Sequence, residues 1–151
     1  MKKIIILILT ITVSGLTFGQ KPNIQERKEM IKSERIAFLT DKLNLTPDEA
    51  QKFWPVYNEY INKQDEIISQ KHKNMREFNK NKDNLTDEQA QKIVETYVLL
   101  TKQENELFIE YNKKIEKVLP IKKVALLYQA EKQFKRHLMR KMRANKDRPP
   151  R

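Results

Sequence analysis

Beyond Gly19 the 151-residue chain contains no glycine, and it contains no cysteine anywhere. Glycine is the residue that most readily takes positive φ in tight turns and helix exits. A stretch of 132 residues without it turns corners rarely and by other means, and builds long helices most easily. The missing thiols remove disulfides, thiolate nucleophiles and thiolate metal sites. The missing glycines remove the phosphate-cradling loops of nucleotide enzymes.

The few turns announce themselves. Residues 44–57 read NLTPDEAQKFWPVY and residues 84–97 read NLTDEQAQKIVETY, identical at seven of fourteen positions. Thr46 suits a helix N-cap, Pro47 the first helical position, where its missing N–H costs nothing, and Glu49 the reciprocal end of a capping box. Thr86 and Gln89 fit the same template, with Asp87 and Glu88 near the positive end of the helix dipole. Asn44 and Asn84 suit left-handed exits from the preceding helices. The repeat is thus one structural device, a helix start, used twice.

Helical periodicity fills the space between these starts. Phe53, Trp54, Tyr57, Ile61, Gln64, Ile68, Met75 and Phe78 trace one stripe, interrupted by Lys71. Ile93, Val94, Tyr97, Leu100, Leu107, Phe108, Tyr111, Ile115 and Val118 trace a second, interrupted at Glu104. Ile24, Ile31, Phe38, Leu39 and Leu43 mark an earlier helix; Val124, Leu127, Phe134, Leu138 and Met142 mark a last one, with Glu131 in the seam and Pro120 at its first position. No stretch alternates as a strand would. The expected fold is all-α, four helices in elongated antiparallel hairpins, the second kinked at Pro55, whose ring removes a bond to the Gln51 carbonyl.

Residues 1–19 differ in kind from the rest. Lys2 and Lys3 precede an apolar run from Ile4, and Thr17 and Gly19 frame an exit before Gln20, the pattern of a secretory signal peptide. A single helical domain over 20–143 and a basic, disordered tail over 144–151 are expected to follow. The formal charge is +11. Residues 132–151 hold nine basic residues against Asp147 alone, a net +8. With Lys2 and Lys3 also set aside, Gln20 to Glu131 is only +1. Export argues against nucleic acid as a partner. The basic face of the last helix, Lys135, Arg136, Arg140, Lys141 and Arg143, suits an anionic membrane surface.

Catalytic apparatus is not expected. His72 and His137 fall on different helices, and the carboxylates are interspersed with lysines, as on solvated faces. His72 and Met75 stand three apart, but Lys71 and Lys73 flank the histidine, so neither a metal site nor a cofactor is expected. The aromatic cluster FWPVYNEY supplies the candidate contact residues for a protein partner, Trp54, Tyr57 and Tyr60. Phe53 and Tyr57 share a face turned mainly to the core, and Trp54 sits about 100° around the helix, at its edge.

The LTDEQ segment, together with LNLTPDEAQKFWPVYNEY, LPIKK and AEKQFKRHLMRKMR, resembles the LTxxQ family of small exported helical proteins, the Spy/CpxP group. It looks most like a Bacteroidetes branch labelled sensor of ECF-type sigma factor. The resemblance runs from about Ile24 to Arg143. It implies a cradle-shaped periplasmic homodimer that senses envelope stress through a signalling partner, or else chaperones unfolded envelope proteins without ATP. Some relatives sense heavy metals, but no His-rich segment is present here, and Glu49 stands where the first motif has Gln.

The exported form is expected to lack the residues before Gln20. Intact mass of the envelope fraction checks this, and a form that retains Met1 and stays in the membrane would refute it.

Overall fold

A computed structural model describes residues 23–146. The expected signal peptide, and residues 147–151 of the tail, lie outside the described residues. Four helices account for nearly all of them: α1 Ile24–Leu43, α2 Pro47–Asn81, α3 Asp87–Ile115 and α4 Ile121–Lys146. Among the described residues there is no strand. α4 continues three residues past Arg143, so the tail begins as helix.

Both expected capping boxes form. Thr46 Oγ1 accepts from the Glu49 amide at 3.2 Å, while the Thr46 amide donates to Glu49 Oε2 at 2.9 Å. Thr86 and Gln89 repeat the exchange at 3.3 and 3.0 Å. A third box, Asn23 with Glu26, starts α1. Asn44 leaves α1 in the left-handed conformation, φ 45°. Asn84 does not follow it: among the described residues Asn44 alone has positive φ. Lys82 stays right-handed (φ −48°), and the Asn84 amide closes a turn on the Asn81 carbonyl at 2.8 Å. A five-residue connection has room to turn without the left-handed step that the three-residue one needs. Pro120 stands just outside α4, its carbonyl accepting from the Lys123 and Val124 amides. Pro55 lies inside α2, which continues on both sides of it.

Cross-helix contacts give the topology. Glu59 meets Lys114 and Lys71 meets Glu104, so α2 and α3 run antiparallel. Phe38 meets Phe134 and Glu34 meets Lys141, so α1 and α4 do as well. The buried side chains gather where these two pairs join. Leu39 and Leu43 end α1, Phe53 and Tyr57 begin α2, Tyr111 and Ile115 end α3, and Val124, Leu127, Ala130 and Phe134 come from α4. Beyond Tyr57 on α2 and before Tyr111 on α3, Leu100 is the sole buried residue. The rest of that pair is an arm two helices thick, about 36 Å long for 24 residues at 1.5 Å each.

Glu49 also ties the start of α2 to α4. Lys123 Nζ donates to Glu49 Oε2 at 2.6 Å and to the Asn44 carbonyl at 2.7 Å. These bonds, with the Thr46 amide, hold the Glu49 carboxyl below its ordinary range. Lys141 and then His137 do the same for Glu34. A carboxylate lowered on folding contributes stability that is fully present above its unfolded value, ~4.3 for Glu, and is lost as pH falls through the folded one. Glu49→Gln keeps the capping box and removes the charge that faces Lys123. The variant is therefore expected to melt lower than the parent near neutral pH and to converge with it as pH falls through the lowered Glu49 pKa. Thermal melts across that range check it; a constant gap would assign the effect to shape instead of charge.

Candidate protein-contact surfaces

The aromatic cluster divides between core and rim. Phe53 is fully buried and Tyr57 is 2 % exposed. Tyr57 packs on Phe53, on Trp54 at 5.5 Å and 85°, and on Tyr111, and its hydroxyl donates to Glu131. Its assignment as a contact residue is therefore corrected, because every face of the ring is already covered. Burial, with the Glu131 charge beside it, pushes the phenol far above its ordinary pKa. Trp54 is half-buried, edge-on to Phe53 at 4.8 Å. Tyr60, also half-buried, stacks on Tyr111 at 4.0 Å and 14°. These two keep an exposed edge.

A broader apolar surface lies along the α2–α3 arm. Met75 and Phe78 of α2, with Ala90, Ile93, Val94, Tyr97 and Val98 of α3, line a groove of about 400 Å³. Val94 and Val98 are each 61 % exposed. Periodicity places Val94 and Tyr97 on the apolar stripe; the structure leaves both at the surface, because no third helix among the described residues covers this length of the arm. The run Tyr97-Val98-Leu99-Leu100 carried the signal, since four successive apolar residues are too wide for one facing helix. Exposed apolar area of this extent marks an interaction surface more often than a solvated face.

Polar groups fix the arm's register. Lys71 Nζ meets Glu104 Oε2 at 2.8 Å and lies 5.1 Å from the centre of the Tyr97 ring. The Asn74 amide donates to the Ile93 carbonyl at 2.8 Å.

The basic face of α4 forms a second groove, against α1, of about 700 Å³. Phe38, Lys42, Gln133, Arg136, His137, Met139, Arg140 and Arg143 line it. Arg136, Arg140 and Arg143 recur on one face and make no ion pair among the described residues. Lys135 is exposed but is not in the wall. Lys141 is already committed: it meets Glu34 Oε2 at 2.7 Å, and His137 Nε2 meets Glu34 Oε1 at 2.8 Å. No local pattern announces this cluster, because Glu34 lies more than one hundred residues from both His137 and Lys141.

Among the described residues no three His, Asp or Glu side chains stand together as metal ligands, and His72 is exposed. No described helix is long and apolar enough to cross a membrane. Comparison of the chain with protein families, with curated proteins and with solved structures gives no match.

Trp54→Ala is expected to cost about 2 kcal/mol of stability, less than the ~3–5 of a fully buried ring. Denaturant unfolding of the variant checks it. A cost near zero would return Trp54 wholly to the surface.

Proposed function

We propose that this chain is an exported, non-catalytic helical protein that binds other proteins through the apolar side of its α2–α3 arm. In the cell it serves as an envelope-stress sensor or regulator of the ECF sigma-factor type. The uncovered groove around Val94 and Val98 is the observation that carries the reading. A two-helix arm of this length has an apolar face that no other described residues cover, and a partner or a second copy completes the missing layer. The resemblance of the LTDEQ and LPIKK segments supports the periplasm as its place and a homodimer as its working state. In the same reading the arginine-lined groove of α4 approaches an anionic membrane surface, with charge complementarity as its support.

Chaperoning of unfolded envelope proteins is the second reading, and one feature favours it. Met75 in the groove is half-exposed, and flexible methionine contacts adapt to partners of varied shape.

Val94→Glu with Val98→Glu places two charges in the groove while altering only exposed positions. The helical signal and melting temperature are expected to stay nearly unchanged, and partner binding to fall tenfold or more, as when a contact centre is lost. Crosslinking from position 98 in the envelope separates the readings. One discrete adduct supports a regulator and a broad ladder supports a chaperone. Crosslinking that survives the double substitution would remove the arm as the binding surface.

A further inference from the structure

At the root of the arm, on the side where α4 crosses it, lies a smaller cleft of about 190 Å³. The geometry points to a binding site for an alkylammonium group in this cleft, walled by Tyr60, Gln64, Phe108, Tyr111, Tyr128 and Glu131. Three independent features converge there.

The first is a carboxylate whose closest bonded partner is neutral. Glu131 is half-buried in the seam of α4, accepts from the Tyr57 hydroxyl, and makes no ion pair among the described residues. Arg35, which also acts on the Tyr57 hydroxyl, has its guanidinium over the Phe134 ring at 5.3 Å and is not part of the cleft wall. No Lys, Arg or His contributes to the wall, although the chain holds 31 Lys and Arg.

Aromatic rings are the second. Tyr60 and Tyr111 form a stacked pair, and Phe108 and Tyr128 form a tilted pair at 5.7 Å. Ring faces carry negative electrostatic potential and attract ammonium groups within about 6 Å of the centroid. Tyr128 is held in place by its hydroxyl, which donates to the Asn112 side chain.

The third is an orphaned polar atom. The Tyr111 hydroxyl is buried and has no hydrogen-bond partner among the described residues. Such a group is costly unless something fills the site. Burial, and then the Glu131 charge, push Tyr60 up to about 12, so its phenol remains neutral.

The cleft far exceeds the ~10–15 Å³ that admits one water. Ile61, Phe108 and Leu127 give it apolar wall suited to methyl or methylene groups. One carboxylate without histidine is too few ligands for a divalent metal, which takes six or more oxygens as calcium. The ammonium can arrive on a small quaternary amine or on a lysine side chain of a bound polypeptide. In the second case the cleft extends the protein-binding role proposed above.

Titration of the mature chain with tetramethylammonium, choline and Nα-acetyl-lysine amide, followed by proton NMR, tests the site. Saturable upfield shifts of the methyl or ε-methylene protons are expected. Affinity should drop tenfold or more in both Tyr128→Ala and Glu131→Gln. Tyr128 is partly exposed, so its variant keeps the fold even if Glu131→Gln does not. Tighter binding of the quaternary amines identifies a small-molecule source, and tighter binding of the lysine amide a polypeptide one. The Val94→Glu, Val98→Glu chain retains the cleft and should bind the probes as the parent does, so failure of the arm and failure of the cleft are separable. No saturable shift with any of the three probes, or shifts unaltered in Tyr128→Ala, would overturn the assignment.

Discussion

Tyr57 is the point at which the four helices are made into one structure. Its ring leaves α2 to pack against Tyr111 of α3, and its hydroxyl reaches Glu131 of α4. Arg35 of α1 approaches the same hydroxyl and covers Phe134 of α4. The two antiparallel pairs, α2 with α3 and α1 with α4, are also joined by Lys123 on Glu49, by Tyr128 on Asn112 and by the buried apolar side chains of the junction. A buried phenol between a carboxylate and a guanidinium is expensive to desolvate, but removing one member leaves the others unpaired, which costs more. The network therefore specifies which helix ends meet, while Phe53, Ile115 and Leu127 around it supply the hydrophobic gain.

The interruptions of the apolar stripes turn out to be partners. Lys71 breaks the stripe of α2 and Glu104 breaks that of α3, and the two face each other across the arm at 2.8 Å. Glu131 breaks the stripe of α4 and receives Tyr57. Apolar contact alone tolerates a slip of one helix along another, because one aliphatic side chain fills a gap about as well as the next. A half-buried ion pair does not tolerate it, since a slip by one turn leaves both charges unpaired. Asn74, donating to the Ile93 carbonyl, adds a second fixed point nearer the tip. With no third helix among the described residues over this length, polar pairs set a register that a core would set elsewhere.

Legibility of the sequence followed the range of the interactions. Helix starts are local, and Thr46–Glu49 and Thr86–Gln89 could be read as capping boxes because all their partners lie within three residues. The four helices were legible for the same reason. Asn84 was misread because the left-handed exit depends on connection length as well as residue type, and the longer connection closes a right-handed turn. Burial along the arm was misread because periodicity reports which side of a helix is apolar, not whether anything covers it. Val94 and Tyr97 share that side with the buried Leu100. Of the contact candidates Trp54 and Tyr60 keep an exposed edge, while the burial of Tyr57 depends on Glu131, 74 residues away. Nothing local could announce the Glu34–His137–Lys141 cluster either.

A chain that concentrates its core at one junction acquires a gradient of stability along its arms. Opening costs most where Phe53, Tyr57 and Ile115 are buried, and least toward the turn after Asn81, where side chains such as Phe78 and Ile93 are only partly buried. A ligand that binds the closed arm but not the opened one raises the cost of opening by mass action. Among the described residues the groove around Val98 is lined by α2 and α3 alone, whereas the cleft around Tyr128 is walled by α2, α3 and α4. α3 passes from the exposed Val98 to the buried Tyr111 and Ile115 without a break. The same helix that lines the exposed groove thus ends inside the core.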